Sequence, residues 1–277
     1  MQITLGTSGS TLSYSVYGKG ESIVLIHGFG ENSRIWDQQV QFLQKNYQLI
    51  VPDLRGSGNS TMNETPLRME SMAEDIRQIL DAEQISNCIM FGHSMGGYIM
   101  LAFAENHPSY LHAFGLIHSS AYADSDEKKE ARNKSIAFIK EHGAYEFMKT
   151  TIPNLFAARF NEQQKNKVDE LIEQSKQFSS EAVIGYYEAM IARPDRTIVL
   201  YNSSVPVFFF IGEEDKAVNP KDAIKQSALP AVCKIKKVSG IAHMGMLEAT
   251  DELNKSIGEF IITVQQLASL TDHVSST

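Results

Sequence analysis

Ile89-Met90-Phe91-Gly92-His93-Ser94-Met95-Gly96-Gly97 is a short apolar run that meets a glycine-flanked serine and continues into residues of helical character. This strand, G-x-S-x-G turn and helix form the context in which a serine is held as a nucleophile. Gly92 and Gly96 stand two residues either side of Ser94, where a Cβ would crowd so sharp a turn. The helix beginning at Met95 offers a main-chain N–H with no intrahelical acceptor, suited to a developing oxyanion. A serine between glycines also occurs in ordinary loops, so the reading depends on partners farther along the chain.

Two partners follow in order. The apolar run Val205-Pro206-Val207-Phe208-Phe209-Phe210-Ile211 stops at Gly212-Glu213-Glu214-Asp215. A final short strand ends before Ser239-Gly240-Ile241-Ala242-His243. Asp215 and His243 therefore fall just past strand ends, and in an open parallel sheet the loops at the carboxyl ends share one edge. Ser94, Asp215 and His243 are the predicted catalytic residues, in the chain order serine, acid, histidine. His27, His93 and His118 also lie near strand ends, but the first two sit inside glycine turns and suit packing or hydrogen bonding there. For the acid, Glu213 and Glu214 are adjacent and Asp124 follows the sixth strand; the G-x-x-D spacing favours Asp215. Asp53 and Arg55 suit bracing their own turn.

With these residues in place the chain resembles the α/β-hydrolase superfamily, and within it the small capped esterase and lactonase-like serine hydrolases. Ile23-Val24-Leu25-Ile26-His27-Gly28-Phe29-Gly30 is similar to the family's HG-x-G loop, and Asp53-Leu54-Arg55-Gly56-Ser57-Gly58-Asn59-Ser60 to its D-x-R-G-x-G-x-S turn. His243 with Glu248 five residues on continues the likeness. The resemblance implies an eight-stranded, mostly parallel α/β sheet with helices on both faces and an inserted helical cap. It also implies an oxyanion hole formed by the backbone N–H groups of Phe29 and Met95.

Composition agrees. A chain of 277 residues, 43% hydrophobic, can bury a full α/β core. Its 25 basic and 33 acidic residues give a net charge of −8, and no basic stripe appears beyond Lys234-Ile235-Lys236-Lys237, which reads as a solvated strand end. Nucleic acid and anionic membrane surfaces are therefore not expected partners. No run reaches the roughly 18 apolar residues of a membrane span, and the first residues lack a signal-peptide pattern, so a cytoplasmic monomer or homodimer is expected. Cys88 and Cys233 begin strands about three positions apart in the family's order, roughly 14 Å, so both are expected as free thiols. The eight histidines are scattered without ligand spacing, and neither a metal nor another cofactor is expected.

Strands are predicted over 2–5, 12–17, 23–26, 48–51, 88–91, 113–118, 207–211 and 234–238, the first two as a hairpin about Gly6-Thr7-Ser8-Gly9. Helices are predicted over 33–44, 70–83, 95–106, 221–229 and 250–268. The last has Leu253, Ile257, Phe260, Ile261 and Val264 at helical spacing after a Thr250 cap, with 271–277 as a frayed tail. This strand and helix alternation breaks between 122 and 200, where helices are expected over 125–142, 144–150, 161–178 and 180–192. Residues 1–121 and 201–277 thus form the core and 122–200 the cap. Phe138, Phe147, Phe156, Tyr186, Tyr187 and Met190 are its candidate pocket residues. Their alternative role is to pack the cap helices together.

The implied chemistry is hydrolysis of small to medium carboxylic esters or lactones through an acyl-enzyme on Ser94. The same triad serves C–C bond hydrolysis of vinylogous diketones and cofactor-free perhydrolysis, and a small-molecule receptor with an intact triad is the alternative of another class. No charged anchor for substrate is evident in the sequence; Arg159 and Arg193 are considered for a substrate carboxylate and set aside.

Overall fold

Strands dominated by Val, Ile, Leu and Phe on both faces can only be buried on both faces, and that pattern sets the centre of the fold. The computed structural model describes residues 2–7, 10–62 and 66–275. Among the described residues there are eight strands: β1 Gln2–Thr7, β2 Ser10–Tyr17, β3 Ser22–Ile26, β4 Gln48–Pro52, β5 Cys88–His93, β6 Leu111–Ile117, β7 Val207–Gly212 and β8 Cys233–Val238. They form one sheet in the order β1-β2-β4-β3-β5-β6-β7-β8. Only β2 pairs antiparallel with its neighbours β1 and β4, and every later pairing is parallel. All residues of β5 and β7 are buried.

The helices are α1 Asp37–Leu43, α2 Met69–Ala82, α3 Met95–Asn106, α4 Asp126–His142, α5 Ala144–Thr151, α6 Ala158–Gln163, α7 Lys165–Gln174, α8 Ser180–Ala192, α9 Thr197–Tyr201, α10 Pro220–Gln226, α11 Gly245–Glu248 and α12 Thr250–Ser275. Six of them, α4 to α9, lie between β6 and β7. Leu253, Ile257, Phe260, Ile261 and Val264 of α12 are all buried, and Phe260 stacks on Phe208 of β7 with ring centroids 5.3 Å apart. One helical stripe thus closes one face of the sheet.

Several expectations are corrected. The helix expected over 161–178 is three pieces, α6, α7 and a 3-10 turn Ser175–Gln177, and the helix expected over 33–44 opens as a 3-10 turn, Ser33–Trp36. Thr250 does not cap α12: it is the first helical residue, and its hydroxyl donates to the Met246 carbonyl at 2.8 Å. The helix continues to Ser275 in place of a tail from 271, and Ser276 and Thr277 lie outside the described residues, as do Ser8 and Gly9 of the expected hairpin turn. The lysines of the edge strand β8 are paired: Lys234 with Glu259 at 3.2 Å, Lys237 with Glu213 at 2.6 Å, and Lys236 with Glu252. A charged edge of this kind discourages pairing with a further strand. Cys88 and Cys233 are free thiols on strands three positions apart. Among the described residues no helix is long and apolar enough to cross a membrane.

Candidate active site

Ser94 sits between the end of β5 and the start of α3 with φ 49° and ψ −116°, a left-handed backbone that a side chain rarely adopts. Main-chain bonds hold it there. Its N–H donates to Ile117 O at 2.9 Å, and its carbonyl accepts from Gly97 N at 2.9 Å and the Ser119 hydroxyl at 2.7 Å. A Cβ on Gly96 would lie 2.5 Å from the carbonyl oxygens of Ile26 and His27 at the end of β3. One on Gly92 would run into the main chain of Gly96. The two glycines thus let strand, turn and HG-x-G loop close on one another.

Asp215 lies three residues beyond β7. Its Oδ1 accepts from the N–H groups of Ala217 at 2.8 Å and Val218 at 2.9 Å, while Oδ2 faces His243 Nδ1 at 2.8 Å. Burial alone would raise the Asp215 pKa, but the imidazoles of His243 and His118 outweigh it and hold the carboxyl well below the usual range. His118 Nδ1 stands 3.3 Å from the same oxygen, and its Nε2 accepts from Gly245 N at 3.2 Å. An acceptor at Nε2 fixes the proton of the neutral ring on Nδ1, toward Asp215. His118, Asp215 and His243 therefore converge in space, with ligand-type atoms within 4.8 Å of one another, although sequence spacing suggested no such group. In this tautomer His118 presents Asp215 with a proton, not a lone pair for a cation.

The main chain around His243 is held from three directions. Its N–H donates to Leu155 O at 2.9 Å, and its carbonyl accepts from His93 Nε2 at 3.0 Å. On either side, Ala242 N and Met244 N donate to Glu248 at 3.2 and 2.9 Å, and Glu248 also accepts from Ala157 N at 2.9 Å. His93 Nδ1 meets Glu31 Oε2 at 3.0 Å, an oxygen that also accepts from Gly28 N at 2.7 Å. With a carbonyl at one ring nitrogen and a carboxylate at the other, His93 is held as a cation. Burial would lower its pKa, and the Glu31 charge more than offsets that. His27 accepts from Leu54 N at 3.0 Å, so both glycine-turn histidines serve structure.

Ser94 and His243 line one cavity of about 270 Å³, together with Phe29 of the HG-x-G loop. The hydrogen bonds of this resting arrangement join His243 to Asp215 but do not include one from the Ser94 hydroxyl to His243. Met95, as the first residue of α3, has no intrahelical acceptor for its N–H. Phe29 stacks on Tyr187 with centroids 4.5 Å apart.

Of the six candidate pocket residues, Tyr187 and Met190 line this cavity and the other four do not. Tyr186 is one helical step out of phase and fully buried, its hydroxyl donating to Arg55 O at 2.5 Å. Phe147 packs edge-on against Tyr187 at 5.7 Å, behind the wall, and Phe156 stacks on Phe160 at 5.0 Å. Phe138 is 38% exposed and lies against His142. Asp124, the alternative acid, is instead taken up by Arg193 at 2.9 Å and Arg132 at 2.6 Å. Asp53 accepts from Ser33 N and Asn59 N, both at 2.9 Å, and Arg55 pairs with Asp75, so both brace the scaffold.

Sequence reading missed the polar wall. Lys128, Ala131, Arg132 and Ser135 of α4 all line the cavity, at the i, i+3, i+4, i+7 spacing of one helical face, and Lys216 joins them from the Asp215 loop. The signal was present as periodicity, but a polar stripe on a charged helix reads as a solvated face. The cavity wall thus carries cationic side chains that the sequence alone did not place there.

The chain has the α/β-hydrolase fold. A family profile described as alpha/beta hydrolase fold matches residues 21–135. The chain is 27% identical to 3-oxoadipate enol-lactonase 2 of Acinetobacter baylyi, over 79% of this chain and 81% of that protein. It is 24% identical to Lipase 1 of Psychrobacter immobilis, over 88% and 78% respectively. In three dimensions it superposes on a thermophilic esterase from Thermogutta terrifontis with TM-score 0.89 and 24% identity, covering 95% of this chain and 99% of that one. The enol-lactonase from Burkholderia xenovorans gives TM-score 0.87 and 22% identity, covering 94% and 100%.

Proposed function

We propose that this protein is a serine hydrolase of small carboxylic esters or lactones, with Ser94 as nucleophile, His243 as general base and Asp215 as its orienting acid. The observation that carries the reading is the buried 2.8 Å contact of Asp215 with a histidine that shares a cavity with a serine held at positive φ. Asp215 orients His243 with Nδ1 protonated, leaving Nε2 free to take the Ser94 proton as the hydroxyl attacks an acyl carbonyl. That hydroxyl-to-imidazole bond forms as substrate settles, as catalytic contacts commonly do. The N–H groups of Phe29 and Met95 receive the oxyanion, the alcohol leaves with a proton from His243, and water activated by the same ring releases the acid.

Residues 122–200 act as a cap whose helices roof the cavity. A volume of about 270 Å³ lies at the low end for ligand sites, which favours short acyl groups over long chains. Relatives named as enol-lactonase and lipase are consistent with acyl transfer to water. The experiment is turnover of aryl esters of graded acyl length, lactones and a vinylogous diketone by the parent enzyme and by Ser94→Ala. The variant is expected to lose ester turnover while melting at the parent temperature. Undiminished turnover in a folded Ser94→Ala protein refutes the assignment.

A further inference from the structure

The cavity wall carries more positive charge than ester hydrolysis requires. Lys128, Arg132 and Lys216 line it, and Glu31, the only carboxylate among its lining residues, is already paired with the His93 cation. The surrounding chain has a net charge of −8, so this concentration runs against the overall balance.

Arg132 is the best prepared of the three. Its Nε donates to Asp124 Oδ2 at 2.6 Å, and its guanidinium lies 5.3 Å from the Tyr187 ring centroid. The Asp124 side chain is fully buried, and its other oxygen accepts from Arg193 at 2.9 Å, so Asp124 is itself fixed. One edge and one face of the guanidinium are thereby held. Its terminal nitrogens have no protein acceptor among the described residues, and the side chain retains 13% exposure, on the cavity. A planar fork held from behind with its front open suits a carboxylate. Lys128, which donates to Ala217 O at 2.9 Å, and Lys216 line both this cavity and a neighbouring surface groove. They therefore stand at the mouth, where charge speeds the approach of an anion.

We propose that the substrate is an ester or lactone carrying a free carboxylate away from its scissile carbonyl, and that Arg132, assisted by Lys128 and Lys216, is the anchor for that carboxylate. The proposal rests on the hydrolase reading for the site of cleavage, whereas the anchor itself is testable by binding. Calorimetric titration of Ser94→Ala compares monomethyl glutarate with its neutral counterpart, methyl 4-carbamoylbutanoate. The anion is expected to bind at least about tenfold tighter, with the preference shrinking as salt rises. Arg132→Met in the same background is expected to remove most of the preference. Lys216→Ala, a change at an exposed side chain that keeps the Asp124 pairing, is expected to weaken anion binding about two- to threefold and serves where the arginine variant does not fold. Equal affinity for the two esters, no measurable binding of the half-ester, or a preference unchanged by either substitution overturns the proposal.

Turnover of the same pair by the unsubstituted enzyme separates the two readings. Cleavage of both with equal kcat/KM removes the anchor and leaves the hydrolase. A binding preference without any cleavage removes the hydrolase and leaves the anchor.

Discussion

Glu248 is the residue whose removal tests most directly how the histidine is held. Its carboxylate accepts from Ala242 N, Met244 N and Ala157 N, at 3.2, 2.9 and 2.9 Å, so Glu248→Ala leaves three main-chain donors without their acceptor. Hydrogen bonds to a charged group contribute about 1.5–3 kcal/mol each. The site is only partly buried, so water replaces some of that, and a net loss of about 3–5 kcal/mol follows. For a domain of this size that corresponds to a fall in Tm of about 10 °C. Two of the three donors flank His243, and a displacement near 1 Å of a catalytic group can cost up to about 100-fold. We expect kcat for a short aryl ester to fall at least about tenfold, with KM changing less. Glu248→Gln keeps one acceptor oxygen and should lie between. Differential scanning calorimetry and steady-state kinetics provide the readout. An alanine variant melting within about 2 °C of the parent and keeping kcat within about twofold would show that the loop is held without this carboxylate.

Two further outcomes concern the same neighbourhood. Burial keeps the His118 ring neutral down to about pH 4, despite the opposing pull of Asp215, whereas in the unfolded chain the ring protonates near 6.5. The unfolded state therefore binds the extra proton in between, so this contribution is complete above about pH 6.5 and is lost as pH falls toward 4, by about 3 kcal/mol. His118→Gln should flatten the dependence of Tm on pH over that window, and parallel curves for parent and variant would contradict the assignment. Gly92→Ala places a Cβ against the main chain of Gly96 and Gly97, so it should cost about 3 kcal/mol or more and reduce soluble yield; a variant with parent-like melting would mean that the turn is looser than described.

Legibility differed sharply between the sheet and the helices inserted between β6 and β7. The strands were readable because each is a short apolar run bounded by turn residues, and the boundaries moved by only one or two positions, as in β5, which continues through Gly92 and His93. Ser94, Asp215 and His243 were named because each sits at a strand end within a short motif, and the sheet brings such ends to one edge. The helices between β6 and β7 obey no such rule. Whether Tyr186 or Tyr187 faces the cavity depends on a rotation of about 100° in α8, set by packing against Phe29 and Arg55 from distant parts of the chain. Arg132 was invisible for the opposite reason: a charge on a charged helix carries no mark that Asp124 and Tyr187 will hold it inward.

Because the carbonyl of Leu155 accepts from the main-chain amide of His243, the segment between β6 and β7 is riveted to the loop after β8 at that corner. With residues 122–200 as the proposed cap, lifting it there would pull the imidazole off station, which would favour passage at the rim where Lys128 and Lys216 line both the cavity and the neighbouring groove. In the proposed hydrolase the same bond would limit how far the chamber can swell, and with it the bulk of the acyl group admitted.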